Sequence, residues 1–182
     1  MGRKTHQTAV VLIPPKEVWP PIQALRQQYD RHVRRWIPHI TLLYPFRPYE
    51  DFAPLVAQWA PLCAQMHPFE VQLATVCIFQ HARDSHTLWF APEPREALID
   101  LHTQLWRVVP ECDDVRQWGQ GFTPHLSIGQ QRGHERTSRL VAQVQATWTP
   151  LTFVVAEISL IWRNVPPDDI FRVGHCIRLG QE

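Results

Sequence analysis

One short pattern occurs twice in this chain of 182 residues, and it constrains the fold more than any other feature. The first copy, PHITL, spans residues 38–42, and the second, PHLSI, spans residues 124–128. The shared pattern is a proline, a histidine, an aliphatic residue, a serine or threonine, and a second aliphatic residue. With the composition of this chain, about 0.004 copies of this pattern are expected by chance. The copies are 86 residues apart, which is too long for a solenoid repeat. The repetition predicts two similar lobes related by a pseudo-two-fold axis.

Each copy begins an apolar strand, and side chains alternate between the two faces of a strand. His39 and Thr41 therefore share one face, and His125 and Ser127 share one face of the second strand. If the lobes pair, two imidazoles and two hydroxyls meet in one cleft. Histidine can act as acid or base near neutral pH, and hydroxyls can stabilise charge on phosphate oxygens. This set of groups suits in-line cleavage of a phosphodiester.

The rest of the chain alternates strand-like and helix-like segments, punctuated by 17 prolines and only seven glycines. Strands are predicted over 8–13, 40–46, 69–80, 86–91, 122–128, 151–162 and 170–179. Helices are predicted over 21–34, 52–66, 96–109 and 135–146. This order predicts an α+β fold: a bilobed, pseudo-two-fold arrangement of antiparallel sheets that form a central cleft, with helices packed outside. We expect residues 1–182 to form a single domain of two similar lobes.

Composition excludes several functional classes. The net charge of +1 argues against bulk capture of long nucleic acids. Lys4 and Lys16, the only lysines, lie in neither a glycine-rich phosphate loop nor a K-x-D-G motif, so ATP-driven chemistry is not expected. Four widely spaced cysteines fit reduced thiols, and the apolar run 9–13 is too short for a signal peptide or a spanning helix. We therefore expect a cytoplasmic monomer with no membrane association.

The paired His-x-Thr/Ser motifs resemble those of the 2H phosphoesterase superfamily, and the order of strands and helices is similar over nearly the whole chain. The chain looks most like the 2′-5′ RNA ligase, or RNA 2′,3′-cyclic phosphodiesterase, branch. The resemblance implies that His39, Thr41, His125 and Ser127 line the active cleft, and that no metal or nucleotide cofactor is needed. It also implies opening of 2′,3′-cyclic phosphates, typically to 2′-phosphates, with weak reversal as 2′-5′ ligation. By the same resemblance, His125 activates water and His39 protonates the leaving group.

Three further residues are candidates for substrate binding. Members of the branch often carry a basic residue five positions after the second motif histidine; here that position is Gln130, and its counterpart after His39 is Tyr44. Phe122 precedes His125 by three residues and could stack a nucleobase, but an aromatic residue at the start of a strand is as often part of a core. Expected substrates are RNA ends or small cyclic nucleotides, with no obligate protein partner.

Two kinds of alternative remain open. An enzyme with the same site could act on 2′-5′ oligoadenylates, ADP-ribose cyclic phosphate or RNA 3′ tails. A non-catalytic module could instead bind RNA or nucleotides in the cleft. Two intact motifs favour an enzyme, because a binding module does not need two titrating imidazoles.

Overall fold

A computed structural model describes residues 3–117 and 121–180, which form two antiparallel four-stranded sheets with four α-helices. Sheet 1 has the strand order β2-β1-β7-β8, and sheet 2 has the order β5-β4-β3-β6. This architecture confirms the predicted α+β class. The strands are β1 (Thr8–Leu12), β2 (Ile40–Leu43), β3 (Phe69–His81), β4 (Ser85–Glu93), β5 (Leu126–Arg132), β6 (Leu151–Val155), β7 (Glu157–Trp162) and β8 (Arg172–Arg178). The helices are α1 (Trp19–Tyr29), α2 (Phe52–Cys63), α3 (Arg95–Val108) and α4 (His134–Thr147).

Sheet 1 combines strands from both ends of the chain, whereas sheet 2 is built from its middle. The two motif strands, β2 and β5, each lie at the edge of their sheet and contact each other. Each sheet packs helices against one face: α2 lies on β8, and α4 lies on β3, β4 and β5. In sheet 1, Val10 and Leu12 of β1 pack into the same core as α2, whereas Ala9 and Val11 face the other side of the sheet.

The apolar run 151–162, predicted as one strand, is divided between the two sheets. β6 pairs with β3, where Phe153 lies opposite Val71, and β7 pairs with β1, where Ile161 lies opposite Ala9. The chain changes sheets at Ala156, whose carbonyl oxygen accepts a hydrogen bond of 2.8 Å from the Leu179 N–H. The prediction of a single strand is wrong because apolar periodicity indicates a strand without indicating its partner.

Several other boundaries also differ from the predictions, and three of them bear on the site. The helix predicted over 21–34 ends at Tyr29, because the next residue, Asp30, has an extended backbone. The strand predicted over 40–46 ends at Leu43, and the one predicted over 122–128 begins only at Leu126. Both motif histidines consequently lie just before their strands, in the segment that leads into each sheet edge.

Helix α1 crosses close to β5 at a glycine. A Cβ atom at Gly129 would lie only 2.5 Å from the Tyr29 Cβ, well inside van der Waals contact. Glycine at this position therefore allows the end of α1 to approach the second motif strand.

A small apolar cluster lies on the face of sheet 1 opposite the main core. It consists of buried Ala9, Val11, Ile161 and Phe171, with Trp36 and Tyr44 packed against it. Val11 lies opposite Thr41 in the β1–β2 pairing, so this cluster supports the strand that carries the first motif.

Candidate active site

The two motif histidines make equivalent hydrogen bonds. The His39 Nδ1 lies 2.7 Å from the carbonyl oxygen of Ile37, and the His125 Nδ1 lies 2.8 Å from that of Thr123. Because a carbonyl oxygen can only accept a hydrogen bond, each Nδ1 carries the proton. The Nε2 atom of each ring is then the nitrogen left to exchange a proton with a substrate.

Both imidazoles favour the neutral state in the free protein. The pKa of His39 is lowered to about 4, mainly by burial; the bond to Ile37 opposes this, and Arg26 and His125 contribute to the lowering. Burial also lowers the pKa of His125, against the effect of its bond to Thr123. The surfaces of both rings are half-buried, so substrate can still reach them although protein atoms surround them densely. The two histidines directly precede β2 and β5, and these two strands contact each other.

The hydroxyl groups of Thr41 and Ser127 lie on the motif strands. Thr41 is opposite Val11 in sheet 1, and Ser127 is opposite Trp89 in sheet 2. Both side chains are half-buried. Within residues 3–117 and 121–180, neither hydroxyl makes a side-chain hydrogen bond, so both are available as donors.

The aromatic surroundings of the two histidines differ. Trp36 stacks on His39 with ring centroids 4.6 Å apart and planes at 17°, and its other contacts include a stacked Phe171 at 3.8 Å. His125 instead meets Phe79 at 4.9 Å and Trp89 at 5.9 Å in edge-to-face geometry. A ring face attracts a cation, so the contact with Trp36 favours the imidazolium form of His39 and opposes the effect of burial on its pKa.

A buried polar network connects the segment before His39 to β5. The Arg26 Nε donates to Asp30 Oδ2 at 2.9 Å, and its Nη2 donates to the carbonyl oxygen of Trp36 at 2.8 Å. Asp30 Oδ1 accepts a hydrogen bond of 3.1 Å from the Gln130 amide. Sequence reasoning missed Arg26 and Asp30; their i, i+4 spacing was the available signal, but that spacing is equally typical of an exposed helix face.

The three candidate substrate-binding residues have different positions. Tyr44 is half-buried beside Trp36 and His6, and its hydroxyl donates to the His6 carbonyl oxygen at 3.4 Å. The Gln130 amide is engaged by Asp30 and by the Arg31 N–H, so it joins β5 to the end of α1.

Phe122 is a core residue rather than a cleft residue. Its side chain is only 7% exposed and stacks on His102 with ring centroids 4.0 Å apart. A ring packed in this way has no free face for a nucleobase, so the structure favours the core alternative at this position.

Within the described ranges, no group of three or more His, Cys, Asp or Glu side chains is placed to hold a metal ion. In the same part of the chain, no helix combines the length and apolar character needed to span a membrane.

Two antiparallel four-stranded sheets with four α-helices define the class of fold, and comparison with known proteins identifies the family. The model of the 2′-5′ RNA ligase superfamily matches residues 14–167, so the chain belongs to this family. The resemblance inferred from the motifs is thereby confirmed. A protein of Oceanobacillus iheyensis named "Putative phosphoesterase" is 27% identical over 155 residues, covering 85% of this chain and 88% of that protein. Another of that name, from Halalkalibacterium halodurans, is 28% identical over 174 residues, covering 95% and 97%.

Solved structures share the fold. The protein TT0787 of Thermus thermophilus superposes with a TM-score of 0.66 at 21% identity, covering 97% of this chain and all of that one. Escherichia coli LigT complexed with 3′-AMP superposes with a TM-score of 0.64 at 16% identity, covering 97% of this chain and 99% of that one.

Proposed function

We propose that this protein is an RNA-end phosphodiesterase that hydrolyses 2′,3′-cyclic phosphates to 2′-phosphates and that also has reversible 2′-5′ RNA ligase activity. The observation that carries the proposal is the equivalence of His39 and His125: each donates from Nδ1 to a carbonyl two residues earlier, which leaves Nε2 for the substrate. One such imidazole can accept a proton while the other donates one.

The proposed roles follow the surroundings of the two rings. His125 Nε2 takes a proton from water, whose oxygen attacks the phosphorus. The bond from phosphorus to the 3′ oxygen breaks, and that oxygen takes a proton from His39 Nε2. Stacking on Trp36 supports the protonated form of His39, and the negative charge of a bound phosphate raises its pKa above that of the free site. A 2′-5′ linkage forms when the 5′ hydroxyl of a second RNA takes the place of water: His125 Nε2 takes the proton of that hydroxyl, its oxygen attacks the phosphorus, and the 3′ oxygen again leaves with a proton from His39 Nε2.

Thr41 and Ser127 are proposed to donate hydrogen bonds to the non-bridging phosphate oxygens. Each bond is worth about 1–3 kcal/mol of transition-state stabilisation. Thr41→Ala and Ser127→Ala should therefore lower kcat/KM about 5- to 150-fold, less than loss of either histidine. Because the proposed acid, base and hydrogen-bond donors are all side chains of the protein, excess chelator should leave turnover unchanged.

The family and its solved members support a nucleotide substrate. LigT has been crystallised in complexes with 3′-AMP and with ATP, although its low identity to this chain transfers only the fold. The same cleft could accept 2′-5′ oligoadenylates, ADP-ribose cyclic phosphate or RNA 3′ tails. A substrate panel that includes these compounds separates the alternatives.

The test is turnover of 2′,3′-cyclic mononucleotides and of RNAs that end in a cyclic phosphate. His39→Ala and His125→Ala should each abolish most activity, and the double variant should lose little more, because the two groups act as a unit. His67→Ala, which removes an exposed histidine from the loop between α2 and β3, is the matched control. Unchanged hydrolysis in the double variant would refute the roles of the histidines. RNA binding without turnover by the parent protein would favour the binding module.

A further inference from the structure

The segment that leads into the first motif, residues 31–36, belongs to neither a helix nor a strand. It ends at Trp36, whose ring stacks on His39 with centroids 4.6 Å apart. Within the segment, the N–H groups of Arg35 and Trp36 both donate to the His32 carbonyl oxygen, at 2.9 and 3.1 Å. These turn bonds do not fix where the segment lies against the sheets. The position of Trp36 on His39 therefore depends on contacts between the segment and other parts of the chain.

The connection between β7 and β8, residues 163–171, supplies two of these contacts. The Phe171 N–H donates a hydrogen bond of 2.9 Å to the Arg35 carbonyl oxygen. The Phe171 ring stacks on Trp36 with ring centroids 3.8 Å apart. The connection therefore holds Trp36 through its ring and through the backbone of the residue before it.

Asp169 lies in the same connection and pairs with two consecutive arginines of the segment. Its side chain is only 1% exposed; Oδ1 accepts a hydrogen bond from the Arg34 Nη2, and Oδ2 accepts one of 2.6 Å from the Arg35 Nε. Burial of a carboxylate is unfavourable unless the charge is paired, and hydrogen bonds from guanidinium groups are among the stronger ones. The two ion pairs therefore tie residues 31–36 to the β7–β8 connection.

We propose that Asp169 is a positioning residue for the first motif histidine. Through the two arginines it fixes the segment 31–36 and keeps the Trp36 ring nearly parallel to the His39 imidazole, at 17°. Asp169 acts through these residues and does not touch the substrate. The inference rests on the proposed function and adds a requirement to it: His39 can protonate the leaving oxygen efficiently only if its ring is held in one orientation.

The pKa of His39 gives a readout that a purely stabilising ion pair would not change. Burial is the main cause of its lowered pKa, and the carboxylate that acts on this pKa is Asp30. Loss of the Asp169 charge should therefore change the pKa of His39 only by moving the segment 31–36. When Trp36 moves away, His39 becomes more exposed, and its pKa should rise toward the ordinary value of histidine because burial is the larger effect.

The first measurement is NMR of Asp169→Asn, which keeps the shape of the side chain and removes its charge. Asparagine has one acceptor oxygen, so its NH₂ group must face one of the two arginines. We expect weaker nuclear Overhauser contacts between the rings of Trp36 and His39, and a higher pKa of His39 than in the parent protein. Asp168→Asn is the matched control, because Asp168 is the neighbouring residue but pairs with Arg172. It should leave both measurements unchanged.

Turnover of a 2′,3′-cyclic mononucleotide gives the second measurement. For Asp169→Asn, kcat should fall about 10- to 100-fold with little change in KM, as expected when a catalytic group is displaced. The pH of maximal kcat/KM should also move upward, because one of the two pKa values that bound the maximum has risen. A residue that only stabilises the fold would change neither the pH of the maximum nor kcat per folded molecule.

Arg35→Gln removes the other partner of one ion pair and carries less risk for folding, because the Arg35 side chain is 35% exposed. It should weaken the same ring contacts and raise the pKa of His39. The combined loss of kcat in Asp169→Asn with Arg35→Gln should be smaller than the product of the single losses, because both changes break one shared contact. Thermal unfolding verifies that each variant is folded. If Asp169→Asn does not fold, Arg35→Gln alone decides.

Unchanged ring contacts and an unchanged pKa of His39 in these variants would overturn the inference, whether or not the parent protein hydrolyses a cyclic phosphate. Losses of kcat that multiply in the double variant would overturn it as well. A parent protein that opens no cyclic phosphate, but whose variants lose the contact between Trp36 and His39, would refute the proposed function and leave the positioning by Asp169 standing.

Discussion

Asp30→Asn tests how strongly the buried network holds the structure around the first motif. The Arg26 and Asp30 side chains are only 2% and 4% exposed, and the Arg26 Nη2 lies 2.8 Å from Asp30 Oδ2. Asp30 also accepts hydrogen bonds from the His32 N–H at 2.9 Å and the Gln130 amide at 3.1 Å. Asparagine has the same shape, but its NH₂ group must face one of these donors, and the Arg26 charge stays buried without a counterion.

Removing one partner of a buried ion pair costs about 3–5 kcal/mol of folding free energy. For a chain of this length, that corresponds to an unfolding temperature about 6–20 °C lower. Thermal and denaturant unfolding of Asp30→Asn measure the loss directly. The matched control is Asp168→Asn, which breaks the Arg172–Asp168 pair; it too has i, i+4 spacing, but its side chains are 41% and 50% exposed.

The control should unfold close to the parent protein, because solvent screens an exposed pair. A loss below about 1 kcal/mol for Asp30→Asn, the range of surface pairs, would refute the reasoning. Equal losses of unfolding free energy in Asp30→Asn and Asp168→Asn would also refute the reasoning, since burial of the ion pair would then make no difference.

Three further predictions follow from the pKa directions and the packing. Because the pKa values of His39 and His125 are lowered, the maximum of kcat/KM against pH should lie below pH 6.5; a maximum above pH 7.5 would contradict the neutral free site. Burial lowers the pKa of His102 to about 4 in the folded protein. As the pH falls, His102 is therefore protonated in the unfolded chain before it is protonated in the folded one, and the free energy of unfolding should decrease between pH 6.5 and pH 4. Denaturant titrations of His102→Gln should show a weaker dependence of the unfolding free energy on pH. Gly129→Ala should lower the unfolding temperature more than Gly174→Ala. A Cβ at position 129 would lie 2.5 Å from the Tyr29 Cβ, whereas a Cβ at position 174 would lie 3.0 Å from its nearest atom. Similar unfolding temperatures for the two variants would refute the close approach of α1 to β5.

Local pattern accounts for most of the elements. Apolar residues alternating with hydroxyl residues predicted strands at the two motifs, and β2 and β5 carry Thr41 and Ser127 as expected, with the histidines directly before them. Helical spacing of apolar residues predicted α3 and α4 within one residue at each end. These properties depend on neighbours in sequence, so the sequence is sufficient to predict them.

The environment of single side chains was not predictable in this way. Phe122 was equally compatible with a base-stacking role and with a core role, and its contact with His102 decides for the core. Arg26 and Asp30 have the spacing of an ordinary surface pair, and only the packing of α1 against β5 buries them. Burial depends on residues about 100 positions away, which local spacing does not reveal.

The sequence by itself determined the α+β class, the two motif strands and the composition of each motif. The tertiary structure decided that the last strands return to sheet 1, that the run 151–162 divides at Ala156, and that both motif strands lie at contacting sheet edges. The physical reason is that strand character arises from each segment's own side chains, whereas strand pairing arises from hydrogen bonds between segments distant in sequence.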